Sequence, residues 1–187
     1  MDWSTAFDGA LPYVKFLDRY AKPAQRVRWD ASHARSRPTA EQAALLGGFG
    51  RRMPVLCLAG AWCGDCSNQC PSFEHFAELA PGVELQFLDR DEAPVWVRDE
   101  LKINGGNRVP ALAFLSEDFD VVARFGDRTL AAYRRLAADQ LGAACPTGFV
   151  PPDAELAAAV AAEWLAQFER AQLILRLSPR LRERYND

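Results

Sequence analysis

Short apolar segments in the middle of the chain alternate with stretches of helical periodicity. Residues 54–59 form a continuous apolar run, which is typical of a buried strand. Apolar and polar residues alternate over 83–87, and two more short apolar runs, 111–115 and 120–125, are separated by a polar turn. These patterns predict four strands, of which the last two form a hairpin.

Helical spacing of apolar residues fills much of the remaining chain. Pro12 precedes four apolar residues at i, i+3, i+4 and i+7 spacing, which predicts a helix over residues 12–22. Thr39 and Gln42 have capping-box spacing and predict a helix through residue 49. Further helices are predicted over residues 65–79, from a cap at Asp91 to residue 101, over residues 129–141, and along an apolar stripe in residues 156–175.

Two segments lack a clear helical or strand pattern. Residues 23–38 contain two prolines and several arginines, so we expect mostly irregular structure with room for a short edge strand. The charged tail after Pro179 is expected to fray.

The order of elements defines the expected architecture. A strand, helix and strand in succession predict parallel strands, and the final hairpin adds an antiparallel pair. The fold class is therefore α/β, a mixed central sheet flanked by helices. We expect a single domain over residues 1–187, with a core over about 39–141 and helical additions over 1–38 and 142–187. The stripe in the last helix is expected to pack on its own domain rather than on another subunit.

Composition narrows the classes of function. Hydrophobic residues make up 49% of the 187 residues and charged residues 25%, which is the balance of an ordinary globular protein and argues against disorder. The net charge of −3 leaves no basic footprint for nucleic acid. No apolar run approaches about 18 residues, and no signal peptide is recognisable at the N-terminus, so we expect a cytoplasmic protein without a membrane partner.

Five cysteines are present, and their spacing indicates chemistry. In the cytoplasm structural disulfides are rare, so a cysteine cluster there indicates redox activity or metal binding. Cys63-Gly64-Asp65-Cys66 lies where a predicted strand passes into a helix. The helix N-terminus favours an anion, which would make Cys63 a reactive thiolate. We therefore predict that Cys63 attacks a disulfide and that Cys66, one turn further, resolves the mixed disulfide.

Other readings of the cysteines remain open. The pair could be inert, or Cys63, Cys66, Cys70 and His75 could offer soft ligands to zinc or an iron–sulfur cluster. A helix disfavours the metal site because Cys63 would have to fold back, and His75 is expected to be solvated. We therefore expect no metal and no bound cofactor. Cys70 is either a third redox thiol or a small core residue.

The motifs together resemble the thioredoxin superfamily. The matching residues are Trp62 with the cysteine motif, Pro71 in the following helix, and Val109-Pro110 before the hairpin. Trp-Cys-Gly-Asp and the glycine pair at 105–106 resemble more closely a poorly characterised, mostly bacterial, thioredoxin-like family. The resemblance implies a thioredoxin-like fold and a cis Pro110 that faces the cysteine pair. It also implies substrate-binding positions at Trp62, Val109 and Pro110.

Three positions depart from the thioredoxin pattern. Cys57 occupies the place of a buried carboxylate, and Phe87 that of a lysine on the next strand. Asp65 replaces the usual proline between the cysteines, where a carboxylate suits the helix N-terminus but disfavours a neighbouring thiolate. Asp65, Cys70 and Arg108 are accessory candidates, and Arg108 is either a contact for an acidic substrate or a plain surface arginine.

The expected function is thiol–disulfide exchange. The cysteine pair itself would carry the electrons, the substrate would be a protein or small-molecule disulfide, and a separate electron donor would regenerate the dithiol. Two alternatives remain: a non-catalytic binding module with the same fold, and a metal-binding protein. The sequence does not decide the oligomeric state.

Overall fold

A four-stranded sheet forms the centre of the computed structural model, which describes residues 2–186. The strands are β1 (Met53–Ala59), β2 (Val83–Asp89), β3 (Ala111–Leu115) and β4 (Val121–Gly126). Their order in the sheet is β2-β1-β3-β4. β1 pairs with β2 in parallel, whereas β1 with β3 and β3 with β4 are antiparallel. The predicted mixed sheet and its hairpin are confirmed.

Helices precede, connect and follow the strands. In chain order they are α1 (Trp3–Asp8), α2 (Tyr13–Tyr20), α3 (Pro23–Arg35), α4 (Ala40–Gly47), α5 (Gly64–Leu79), α6 (Val95–Glu100), α7 (Leu130–Leu141), α8 (Asp153–Arg176) and α9 (Pro179–Tyr185). A short 3-10 turn, Gly142–Ala144, lies between α7 and α8. The Thr39 capping box predicted for α4 is present, because the Thr39 hydroxyl accepts from the Gln42 N–H and the Gln42 side chain accepts from the Thr39 N–H.

The prediction of irregular structure or a short edge strand in residues 23–38 is wrong. Pro23 begins α3 instead of interrupting it, because the first helical position needs no N–H donor. The Gln25 side chain accepts a hydrogen bond of 2.8 Å from the Lys22 N–H at the start of the helix. Trp29 is fully buried, and packing of this one large side chain outweighs the polar composition of the segment.

The start of α6 also differs from the prediction. Asp91 does not cap the helix, which begins at Val95 directly after Pro94. The Asp91 N–H donates instead to the Asp89 carboxylate over 2.9 Å. The proline, not the aspartate, therefore precedes the first helical residue.

The tail after Pro179 is helical rather than frayed. The Ser178 hydroxyl caps α9, and Leu181 is buried in the core. Arg180 forms an ion pair of 2.6 Å with Asp118 in the β3–β4 turn. These contacts supply the tertiary support that a short charged helix lacks on its own.

Both helical additions share one hydrophobic core with the sheet. The Phe168 ring of α8 lies 5.0 Å from the Phe114 ring of β3 and 5.3 Å from the Phe76 ring of α5. The stripe in the last helix therefore packs on its own chain, as predicted. At the other end, Leu11 exchanges two backbone hydrogen bonds with Phe87 and covers the outer edge of β2.

Among residues 2–186, none of the helices combines the length and the apolar character needed to cross a bilayer.

Candidate active site

The turn between β1 and α5 holds Cys63 at the N-cap of the helix. The Cys63 N–H donates to the Gly60 carbonyl over 2.9 Å, and the Cys63 carbonyl accepts from the Ser67 N–H over 3.0 Å. The thiol therefore lies at the end of the helix where backbone N–H groups have no helical partner. Those groups and the helix dipole favour a negative charge.

The two motif cysteines form a coupled pair of free thiols. Cys63 is half-buried and Cys66 is fully buried, and each thiol acts on the ionisation of the other. Their interaction favours one thiolate and opposes a second one. The first pKa of the pair is therefore lowered and the second is raised, although burial of Cys66 opposes the first ionisation.

A backbone carbonyl faces the Cys63 sulfur. The Val109–Pro110 peptide bond is cis, and the Val109 oxygen lies 3.6 Å from the Cys63 Sγ. Gly126 on β4 allows this loop to pack closely, because a Cβ at that position would lie only 2.5 Å from the Pro110 oxygen. β1, β3 and β4 thus bring residues that are 46 positions apart in the chain into one site.

Trp62 is the large exposed side chain of the active-site turn, with 44% of its surface accessible. Its ring covers Gly60, where a Cβ would lie 2.7 Å from the indole. The Arg90 guanidinium lies 4.4 Å from the ring centroid, a cation–π contact that helps to hold the indole in place.

A family model described as thioredoxin matches residues 11–139, which is more than half of the chain. The chain belongs to the thioredoxin family. The predicted fold class, a thioredoxin-like mixed sheet with helical additions, is therefore confirmed.

Solved structures resemble this thioredoxin-family chain in fold. A protein of unknown function from Pseudomonas aeruginosa has a TM-score of 0.70 at 20% identity, covering 91% of this chain and 99% of that one. An HIV epitope scaffold has a TM-score of 0.69 at 18% identity, again covering 91% and 99%. Thioredoxin f2 of Chlamydomonas reinhardtii has a TM-score of 0.36 at 14% identity, covering 56% and 90%. No curated protein matches the sequence.

A row of sulfurs extends from the thioredoxin-type pair into the core. Cys66 and Cys70 are four positions apart on α5 and so share a face, and the Cys70 Sγ lies 4.0 Å from the Cys57 Sγ. Cys57 sits in the middle of β1, paired with Phe87 on β2. Burial raises the pKa of both Cys70 and Cys57, so these two thiols stay protonated at neutral pH.

Asp65 carries a paired charge in this protein. Its two carboxylate oxygens accept hydrogen bonds of 3.1 Å and 2.5 Å from Arg128, which directly precedes the capping residue of α7. The cation offsets the repulsion that an isolated carboxylate would exert on a neighbouring thiolate. The sequence analysis recognised Asp65 but missed Arg128, because nothing in the local pattern links positions so far apart.

A buried carboxylate lies beside the Asp65–Arg128 pair. Asp127 accepts from Arg108 over 3.0 Å and from the Tyr133 hydroxyl, and its backbone oxygen accepts from the Gln69 side chain over 3.0 Å. The Gln69 oxygen accepts in turn from the Trp164 indole over 2.6 Å. Burial opposes ionisation of Asp127, but the bonds from Tyr133 and Arg108 outweigh it and lower its pKa. Arg108 is exposed but already ion-paired.

The N-terminal addition supports the other side of the turn. The Trp29 indole of α3 donates a hydrogen bond of 2.9 Å to the Ala61 carbonyl, two residues before Cys63. The sequence analysis missed this contact because it expected mostly irregular structure in residues 23–38, with room for a short edge strand.

His75 does not join the cysteines. The expectation that it is solvated is wrong, since its side chain is only 5% exposed. Its ring nitrogens lie 2.9 Å from the His33 carbonyl oxygen and 3.1 Å from a Glu78 oxygen. His33 lies in the last turn of α3 and not in a loop. Within the described part of the chain, the cysteine–histidine metal cluster considered above is not formed.

Proposed function

We propose that this protein is a thiol–disulfide oxidoreductase that acts by dithiol–disulfide exchange through Cys63 and Cys66. Membership in the thioredoxin family supports a thioredoxin-like redox role. One observation carries the finer proposal: the half-buried Cys63 stands at a helix N-terminus, three residues before the buried Cys66 on the same helix. That arrangement offers a nucleophile at the surface and a second thiol within reach behind it.

In the first step the Cys63 thiolate attacks one sulfur of the substrate disulfide. A bond forms between Cys63 and that sulfur, the substrate S–S bond breaks, and the second substrate sulfur leaves as a thiolate. The helix N-terminus stabilises the attacking anion before the reaction.

In the second step Cys66 gives up its proton to the substrate thiolate released in the first step, and the Cys66 thiolate attacks the Cys63 Sγ. The Cys63–Cys66 disulfide forms and the remaining substrate sulfur leaves as a thiolate, which then takes up a proton. The substrate gains two electrons and the protein loses two. The same steps run in reverse when a dithiol regenerates the pair.

The accessory residues act on the charge of the pair. Cys70 stays protonated one helical turn from Cys66, where its S–H lowers the pKa of Cys66 and so stabilises the thiolate needed in the second step. Arg128 pairs with Asp65 and removes an unfavourable negative field at the same place. Cys70 is therefore a positioning residue in this proposal, not a third redox thiol.

Trp62, Val109 and Pro110 form the proposed substrate-binding surface. The Val109 carbonyl lies beside the Cys63 sulfur and would pair with the main chain of an extended substrate. The exposed Trp62 indole supplies an apolar contact next to it. Arg108 could meet an acidic group only by giving up its ion pair with Asp127.

The biological setting is part of the same proposal. The substrate is a protein or small-molecule disulfide, the electron donor is a dithiol or an equivalent reductant, and the compartment is the cytoplasm. The branch is the mostly bacterial one with the Trp-Cys-Gly-Asp motif.

A stoichiometric assay with dithiobis-nitrobenzoate tests the proposal. In a Cys145→Ser background, which removes a half-buried thiol far along the chain, the reduced protein should release two nitrothiobenzoate anions per chain. Cys66→Ser should release one and retain the other as a mixed disulfide on Cys63, which mass spectrometry identifies. Cys63→Ser should lose both this reaction and insulin reduction.

Retention of full exchange activity by Cys63→Ser would overturn the proposal. Failure of Cys66→Ser to hold a mixed disulfide would do the same. Either result would favour a non-catalytic binding module with this fold.

A further inference from the structure

The two histidines of the chain meet at the end of α3 and α5, although they are 42 positions apart. The His33 and His75 ring centroids lie 4.0 Å apart. Glu78, one turn after His75 on α5, places a carboxylate beside them. One ligand atom from each of these three residues lies within 4.8 Å of the other two.

Both ring nitrogens of His75 face oxygen atoms. One ring nitrogen faces the His33 carbonyl oxygen at 2.9 Å and the other faces the Glu78 carboxylate at 3.1 Å. Both neighbours are acceptors, but a neutral imidazole carries only one N–H and can donate to only one of them. A metal ion on the other ring nitrogen would satisfy both the imidazole lone pair and the carboxylate.

The arrangement has the second contact that metal-binding histidines usually show. When Nε2 of His75 donates to the His33 carbonyl, the lone pair of Nδ1 is fixed toward Glu78. Protein metal sites commonly hold a ligating histidine in this way, through a hydrogen bond from its other nitrogen to a backbone oxygen.

We propose that His33, His75 and Glu78 bind a divalent transition-metal ion, with Zn²⁺ as the best chemical match. Two imidazoles and one carboxylate are a donor set that suits zinc, whereas Mg²⁺ and Ca²⁺ prefer oxygen ligands alone. Glu78 is exposed and His33 half-buried, which leaves the ion a path from solvent. Water would fill the fourth position of a tetrahedral ion.

The bound metal would join the N-terminal addition to the active-site helix. Trp29 and His33 are four positions apart on α3 and so share a face. The Trp29 indole already supports the active-site turn through the Ala61 carbonyl. A metal at the end of the same face would hold α3 against α5.

Calorimetric titration with ZnCl₂ tests the site in the full-length chain. The titrations use a Cys63→Ser background, so that the cysteine pair does not chelate the ion. We expect saturable binding of a single Zn²⁺ per chain. Glu78→Gln and His33→Gln should weaken it by at least about tenfold, since loss of even an indirect partner of a ligand costs about 10–100-fold. Glu41→Gln, an exposed glutamate of α4, is the matched control and should bind as the background does.

Two further readouts separate a metal site from a structural histidine pair. Saturating Zn²⁺ should raise the melting temperature of the background protein but not that of Glu78→Gln. The Co²⁺ derivative should lack thiolate charge-transfer absorption in the near ultraviolet. Absence of saturable binding, unchanged affinity in both ligand variants, or a thiolate band would overturn the proposal. None of these readouts depends on thiol exchange, so the two proposals fail independently.

Discussion

The same side chain occurs four times along one row of sulfurs, in two different environments. The outer pair, Cys63 and Cys66, begins at the solvent-facing end of α5, where backbone N–H groups lack helical partners. The inner pair, Cys70 and Cys57, has no exposed surface and touches only protein. The negative charge of a thiolate is therefore favoured at the outer end of the row and disfavoured at the inner end.

The contrast shows that position, not residue type, decides what a cysteine does in this protein. At the outer end burial opposes ionisation of Cys66, but the neighbouring thiols and the Gly60 backbone outweigh it and lower the first pKa of the pair. At the inner end burial raises both pKa values, so the thiols are hydrogen-bond donors rather than nucleophiles. A sulfur row can then combine a reactive end with an inert, supporting end.

The largest expected effect is the difference in alkylation between the two ends. In the reduced native protein, iodoacetamide should modify Cys63 at least about 1,000-fold faster than Cys57 or Cys70, because the inner thiols react only after the core opens. Peptide mass spectrometry at successive times measures the rates. In the unfolded protein the rates should converge, and native rates within tenfold of each other would contradict the comparison.

Sequence patterns alone predict the outer pair well. The apolar run of β1, the change to helical spacing and the cysteine motif lie within about twenty consecutive residues, so local rules place Cys63 at a helix N-terminus. The four strands and the hairpin follow from the same kind of local pattern.

The surroundings of the pair could not be predicted in that way. Arg128 forms the ion pair with Asp65, and the Trp29 indole donates a hydrogen bond to the active-site turn. Both contacts join residues that are far apart in the chain. The prediction of irregular structure where α3 lies was wrong for a physical reason. The stability of α3 comes from one buried tryptophan and its docking on α5, whereas local reasoning weighs only composition and periodicity.

Serine substitutions at the two ends of the row compare how much a hydroxyl group lowers the free energy of unfolding in a buried and in a partly exposed position. Cys57→Ser should lower the free energy of unfolding by roughly 1–3 kcal/mol, because the 4.0 Å gap to Cys70 is too long for a hydroxyl hydrogen bond. Cys63→Ser should change it by no more than about 0.5 kcal/mol, since that side chain already meets solvent. Urea unfolding under reducing conditions gives both values, and equal losses would remove the distinction between the two ends.

Removing Arg128 tests whether a paired charge sets the reactivity of the outer end. Arg128→Gln leaves Asp65 unpaired, which disfavours the neighbouring thiolate, so the pKa of the pair should rise. Because the lowered pKa of the pair is about 5, the thiolate fraction falls mainly at acidic pH, and alkylation of Cys63 at about pH 5 should slow about three- to tenfold while the rate at pH 7 changes little. Alkylation rates from about pH 5 to about pH 9 give the profile.

Two further variants assign that effect to the ion pair. Arg134→Gln, which removes another arginine from the α7 region, should leave the profile unchanged. Asp65→Asn combined with Arg128→Gln should restore the rate, since the uncompensated carboxylate is then absent. A double variant as slow as Arg128→Gln alone would mean that Arg128 acts by another route.

The smallest expected effect concerns the link between the two ends. Cys70→Ala removes the S–H that helps to lower the pKa of Cys66, so the pKa of the outer pair should rise. Alkylation at about pH 5 should then slow about two- to threefold, because a thiol is a weak neutral donor. Cys70→Ser retains a donor and should keep the original profile, while Cys145→Ala serves as the control. If Ala and Ser behave alike, the inner thiols only fill the core. If only Ala shifts the profile, the inner pair tunes the outer one, which a purely packing role could not do.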